Sequence, residues 1–230
     1  YHKFGGNFSV EHKVLDNLSI KANANITHNK RHSNGWLSYT RNPIFPVYDE
    51  NGNYWLYGET DYYHPLAITN LQKNESKGFD LISSFLVDYQ VFPFLNLKAQ
   101  LNYKHGESIG DLYYPKKYTS IGVRNNGYGK ISNGKSDNVV FETYATFDKI
   151  FNERHHVTAM GGYSYEQYQS RSSSLAAKNF VNESLGNENL AAGDAQSYEV
   201  SNGFYETKLV SGMARLNYAC LLYTSPSPRD

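Results

Sequence analysis

The chain has 230 residues, 22 basic against 22 acidic, and a single Cys, Cys220. Balanced charge gives no support for a nucleic-acid partner held by phosphate neutralisation. One Cys excludes an internal disulfide and a CxxC site, and no run approaches the roughly 18–20 apolar residues of a spanning helix.

A first strand is expected near Asn7–Lys13, with Phe8 and Val10 on its apolar side. Asp16-Asn17 makes a tight turn of two turn formers. The second strand, Leu18 to about Lys30, interleaves Leu18, Ile20, Ala22, Ala24 and Ile26 with Ser19, Lys21, Asn23, Asn25 and Thr27. A long excursion covers Arg31–Ser76. The third strand, about Gly78–Val91, sets Phe79, Leu81, Phe85, Val87, Tyr89 and Val91 against Asp80, Ser84, Asp88 and Gln90. Pro93 closes a short turn, where a missing backbone donor matters little. The fourth strand, ending near His105, sets Leu95, Leu97, Ala99, Leu101 and Tyr103 against Asn96, Lys98, Gln100, Asn102 and Lys104. A second long loop spans Gly106–Asp137. The fifth strand (about Val139–Ile150), a turn at Asn152-Glu153-Arg154 and the sixth strand (about His156–Gln169) follow. A third long loop runs from about Ser170 to Gly203, before a seventh strand near Tyr205–Tyr218.

Strand side chains point alternately to opposite faces, so each segment has one apolar and one polar face. Short turns at one end and long loops at the other predict an all-β fold, an antiparallel transmembrane β-barrel of which this chain forms about seven strands. The negative mean hydropathy is compatible with this, because every second barrel residue is polar. Lys21, Lys98 and Arg215 fall in the polar phase, and a Lys or Arg at the bilayer midplane costs about 2–4 kcal/mol on the lipid side, so the polar face lines the lumen. The chain is rich in Tyr, 21 against 12 Phe and 2 Trp. Two girdles are expected: Phe92, Phe94, Phe147 and Phe151 at the short turns, and Tyr103, Tyr163 and Tyr165 toward the long loops. That places the short turns in the periplasm and the long loops outside. A soluble antiparallel sandwich also alternates, but gives no reason for loops to segregate by length. Leu221–Asp230 breaks the alternation with two prolines and resembles translated adaptor or vector sequence. The boundaries are therefore 1–218 for the partial barrel and 219–230 for a non-native tail that takes in Cys220. The chain starts at Tyr1 without Met, a basic n-region or an apolar h-region, so the signal peptide is absent, and because a barrel protein must be exported the N-terminus is expected to have been lost.

Several motifs have a structural reading beside the functional one. Asp49-Glu50-Asn51-Gly52-Asn53 opens like a calcium loop, yet Tyr54 stands where Gly is needed and Thr60 where Glu is needed. An Asn-Gly hairpin turn between Val47-Tyr48 and Tyr54-Trp55 is the expected reading. His155 and His156 point to opposite faces of a strand and cannot share a metal by that spacing. No HExxH pattern or GxSxG elbow is present, so neither a catalytic site nor a metal site nor a cofactor is expected. The candidates for ligand contact are loop aromatics: Trp36, Tyr39, Tyr54, Trp55, Tyr57, Tyr62 and Tyr63 in the first loop, and Tyr113, Tyr114 and Tyr118 in the second. Flat rings stack on sugar faces or peptide side chains at little entropic cost. The structural reading, which weighs more, is that they pack against each other to hold the long loops in shape.

Asn42-Pro43-Ile44-Phe45-Pro46-Val47-Tyr48-Asp49-Glu50-Asn51-Gly52-Asn53-Tyr54-Trp55 resembles a stretch of SusC/RagA-type TonB-linked outer-membrane transporters. Arg154–Glu166 and Asn189-Leu190-Ala191-Ala192-Gly193 are similar to barrel segments of that family. The resemblance covers Tyr1 to Tyr218. It implies a plugged, 22-stranded barrel in the outer membrane, in contact with outer-membrane lipid. It further implies a SusD-like surface lipoprotein as lid, energy from TonB–ExbB–ExbD through an N-terminal part, and import of a glycan or peptide substrate. A passive porin-like barrel and a secreted carbohydrate-binding β-sandwich are the alternatives.

Overall fold

The computed structural model describes residues 1–33, 46–56 and 63–220. Among these, seven strands form one open sheet: β1 (His2–Leu15), β2 (Leu18–His32), β3 (Lys73–Phe92), β4 (Leu95–Tyr114), β5 (Tyr128–Phe151), β6 (His155–Lys178) and β7 (Glu199–Cys220). They lie side by side in chain order, each antiparallel to the next. Two short helices, α1 (Pro65–Leu71) and α2 (Ser120–Asn125), sit in the long connections.

Register carries the two faces through the whole sheet. One row runs Val10, Ala22, Phe85, Leu101, Phe141, Tyr165 and Val210, each paired with the next. The adjacent row on the other face contains Ser84, Asn102, Val140, Glu166 and Leu209, with Asn23 bonded to Ser84. A one-residue slip anywhere would move apolar side chains to the wrong face, so the pattern fixes the pairing. The apolar band also slides across the sheet. On β2 it reaches Ile26, in the row of Leu81, whereas on β7 it stops at Val210, in the row of Phe85. A level band crossing the rows obliquely is what tilted barrel strands produce.

The strands are longer than the alternation suggests. β5 and β6 have 24 residues each, roughly 80 Å at about 3.3 Å per residue, against roughly 9–11 residues for a span. Gly106–Tyr114, Tyr128–Asp137 and Ser170–Lys178, expected as loop, are strand. Outside the bilayer neither face has to be apolar, so the ladder continues without the periodicity that marks it below. β7 likewise continues through Ala219 and Cys220, which pair with His156 and His155, so the expected tail boundary falls within a paired strand.

The short turns form as expected. At Asn152-Glu153 both residues take a left-handed φ, 49° and 57°, the requirement of a type I′ hairpin turn. The expected lower girdle is a ladder of rings: Phe92 stacks on Phe94 (5.4 Å), Phe94 meets Phe147 edge-on (5.6 Å), and Phe147 stacks on Phe151 (6.3 Å). Lys149, in the outward phase, lays its ammonium over Phe94 and Phe151 at 4.7 and 5.2 Å, keeping its charge at the boundary while its stem lies on apolar surface.

Candidate functional site

At the outer end the sheet projects as a polar ribbon ending in a folded cap. The connections after β4 and β6 dock through backbone hydrogen bonds from Asn179 to Asn125 and from Phe180 to Asn126, each 3.0 Å. Their small core joins Tyr113, Ala177, Phe180 and Leu190, with Ile131 and Ala192 against it. Gly129 admits this contact, because a Cβ there would lie 2.8 Å from Leu190 and 2.9 Å from Phe180. The Tyr113 hydroxyl donates to Glu183 Oε1 at 2.8 Å, and that same oxygen accepts from the Lys116 amide at 2.6 Å. Burial and the Glu183 carboxylate push the Tyr113 phenol far up, so it stays a neutral donor. Asn187, 1% exposed, donates to Asp111 at 3.0 Å.

Of the expected ligand-contacting aromatics, Trp36, Tyr39, Tyr57 and Tyr62 lie outside the described residues. Tyr113 does not offer a ring to a ligand: it is 6% exposed, edge-on to Phe180, and serves the cap. Tyr54 lies 5.1 Å from the Tyr48 ring and 5.5 Å, edge-on, from Tyr118, and its hydroxyl accepts from Asn70 at 2.7 Å. This brings the first and second loops together. Trp55 is half-buried and its amide closes the hairpin onto Val47 at 3.0 Å. Tyr63 bridges Leu56. Tyr114 meets Tyr128 at 6.2 Å, and register puts the pair on the lumen face at the ribbon tip. Burial raises both phenols, and the Tyr54 hydroxyl raises Tyr48. The cluster therefore offers neutral rings and hydroxyls, suited to stacking and hydrogen bonding rather than to proton transfer.

The Asp49–Asn53 segment is a turn. Asp49 Oδ1 accepts from the amides of Asn51 and Asn53 at 2.9 and 2.8 Å, and Gly52 takes φ +80°. His155 stacks on Tyr218, while His156 meets Asp148 at 2.7 Å. No grouping of three potential metal ligands occurs among the described residues.

The lumen face carries a ladder of paired polar groups. Lys98 meets Asp88 at 3.1 Å, Asn96 donates to Asp88 at 2.6 Å, and Asn138 donates to Glu166 at 3.0 Å. Above it lies a floor of small residues. One row runs Gly78, Ser108, Gly134, Ser172 and Gly203, and the next contains Gly106, Ser136 and Ser170. A depression of about 270 Å³ there is lined by Asp80, Ser108, Gly134, Ser136, Tyr168 and Ser170, among others. The signal is visible in the sequence as Gly or Ser at every second position of 106–110, 132–136 and 170–174, although Gly and Ser there also suggest loop.

An apolar outside, a charged inside, tight turns at one rim and a folded cap at the other make this sheet a stretch of transmembrane β-barrel wall. No family model matches the chain. Known relatives are TonB-dependent receptors of Formosa agariphila: one is 26% identical over 198 residues, 84% of this chain and 19% of the receptor, and another is 24% identical over 77% of this chain and 18% of the receptor. The chain thus spans about a fifth of the length of these relatives. Among solved structures, the RagAB peptide transporter matches 95% of this chain and 26% of its own at 19% identity and a TM-score of 0.75, and its open-open state scores 0.76. The SusC/RagA resemblance and the barrel fold hold over most of the chain, and the relatives are receptors and transporters rather than enzymes.

Proposed function

We propose that this chain is part of the wall of an outer-membrane, TonB-dependent importer of oligosaccharides or peptides. Its role is translocation without bond cleavage. The carrying observation is the register that, within the apolar band, holds ionic groups on one face and hydrocarbon on the other, in a chain 84% of which is similar in sequence to a TonB-dependent receptor. The lumen ladder and Gly/Ser floor line a wide polar passage, while Tyr48, Tyr54, Tyr118, Tyr114 and Tyr128 supply rings at its outer mouth. A SusD-like lipoprotein would meet the capped end, and the TonB–ExbB–ExbD complex would act through parts of the protein outside this chain. Peptide is favoured by the likeness to a peptide transporter; glycan is favoured by the phenol-rich mouth.

The test is uptake by cells carrying the full-length protein. Fluorescent oligopeptides and oligosaccharides should accumulate only when TonB is present and the proton gradient is intact. Equal uptake without TonB would replace this reading with a passive porin-like barrel.

A further inference from the structure

The cap core uses Tyr113, Gly129 and Ala177, which share an outward row, so it folds over the side of the sheet that faces lipid lower down. Between the cap and the apolar band a cleft of about 320 Å³ is left open on the outside of the wall. Its outward side chains are Glu107, Ile109, Asn133, Lys135, Arg171 and Ser173.

Three features of this notch are unexplained by folding. Lys135 and Arg171 are register partners on adjacent strands, and like charges directly opposite are destabilising. Arg171 is exposed and packs over the Phe204 ring at 4.8 Å, yet no carboxylate or carbonyl among the described residues accepts from its guanidinium. Lys135 faces its register partner Glu107 at 3.8 Å and lies near Asp137 on the same face, but Glu107 is also 3.3 Å from His105 and Asp137 is bonded to His105 at 2.7 Å, so both carboxylates are shared. The height is also specific. Lys135 lies four residues beyond Val139, where the continuous apolar band of β5 ends below the cap-packed Ile131, which is about 13 Å along the strand and roughly 10 Å above the hydrocarbon once tilt is allowed for.

We propose that this notch binds the phosphate of an anionic glycolipid in the outer leaflet. The Arg171 fork would take two phosphate oxygens, Lys135 would add its point charge, and Ser173 and Asn133 would supply neutral donors beside them. One shared anion turns the opposed cations from a liability into a clamp, and Phe204 keeps the guanidinium plane upright. The clamp would set the depth and rotation of the wall, since the lipid's chains lie against the apolar rows directly below. It rests on the lipid-facing assignment of that surface and not on the transport reading.

The test uses the full-length protein, purified in detergent and incubated with phosphorylated outer-membrane lipopolysaccharide, with retention read by native mass spectrometry. Retention should fall about thirtyfold in the Lys135→Gln/Arg171→Gln double variant, and equally when the glycolipid is enzymatically dephosphorylated. Inorganic phosphate at the same concentration should not displace the glycolipid; full displacement would assign the notch to free phosphate and overturn the lipid proposal. Lys149→Gln, on the same face at the opposite rim, should retain glycolipid as wild type does. Undiminished retention in the double variant, or equal loss in Lys149→Gln, refutes the clamp. Folding is checked by heat-resistant mobility on gels, and single Arg171→Lys, which keeps the charge but loses the fork, should fall between wild type and the double variant. TonB-dependent uptake is scored separately, so loss of uptake with glycolipid still bound would remove the proposed function and leave this inference standing.

Discussion

Thr143 and Ser83 show how single residues are made tolerable on a face turned to hydrocarbon. Both lie in the apolar phase, where an unpaired hydroxyl is costly. Thr143 donates to the Lys98 carbonyl at 3.1 Å and Ser83 to the Tyr103 carbonyl at 3.5 Å, so each hydroxyl is spent on backbone. A different compromise appears at Glu153, a non-glycine residue at φ 57°. A left-handed L-residue costs roughly 1–2 kcal/mol, and Asn tolerates it better than Glu. Glu153→Gly should therefore raise the unfolding free energy of the full-length protein by about 0.5–1 kcal/mol, the relief of strain being partly offset by the freer unfolded chain. Asn152→Val should lower it by about 1–2 kcal/mol. Urea titration in lipid vesicles measures both, and a Glu153→Gly variant less stable than wild type would show that the carboxylate has a partner worth more than the strain.

Among the elements, the strands within the bilayer were readable and the cap was not, for a physical reason. Below the outer rim, solvent differs on the two sides of each strand, so Leu95–Tyr103 or Leu18–Ile26 must alternate and can be read at a glance. Above it both faces are wet, and Ser170–Ser174 pairs with Ser132–Ser136 and Ser201–Tyr205 through the backbone ladder, with no apolar face to announce it. The cap core depends on contacts such as Tyr113 with Phe180, 67 positions apart (180 minus 113), which no local pattern announces. α2 did carry its own signal: Thr119 caps the Gly122 amide at 3.1 Å and Asn126 ends the helix in the left-handed region. The cap should behave as a separate unit. Phe180→Ala should cost it about 3–5 kcal/mol, exposing Lys116 and Lys117 to trypsin while the sheet keeps its heat-resistant mobility. Its pH response should be two-sided. Lys73 beside Glu188 holds that carboxyl below its usual value, so this tether is intact above about pH 4.5 and is lost as pH falls below it. Tyr113 is raised, so its contribution is intact below about pH 10 and declines as pH rises beyond it, where the unfolded phenol ionises first. Amide exchange of Gly186–Ala192, corrected for intrinsic rates, should accelerate at both extremes; acceleration at neither would mean that the apolar core alone holds the cap.

At the scale of the molecule, the whole reading is a claim about what lies on each side of one sheet, and adjacent residues of one strand can test it. Ala99 sits mid-band on β4, between Val87 and Thr143 on the outward face. Gln100, its neighbour, faces the other way between Leu86 and Glu142 and donates to Asn102 at 2.9 Å. In a soluble sandwich one face meets a packed protein core and the other meets water, so an arginine on the inner face is costly there too, and the contrast between labels on the two faces separates the two readings. In a barrel wall the two positions differ because one meets lipid and the other water. Ala99→Arg should lower the unfolding free energy by about 2–4 kcal/mol, the midplane value for a cation against lipid. Gln100→Arg should change it by under about 1 kcal/mol, because Glu142 is available across the strand and the lumen is wet. The same contrast should diminish toward the rims. Nitroxide labels at Ile20, Ala99 and Ala145 should report acyl-chain contact, and a label at Gln100 should report water. If Ala99→Arg and Gln100→Arg cost the same, the two faces do not see different solvents, and neither the passage nor the outer-leaflet clamp survives.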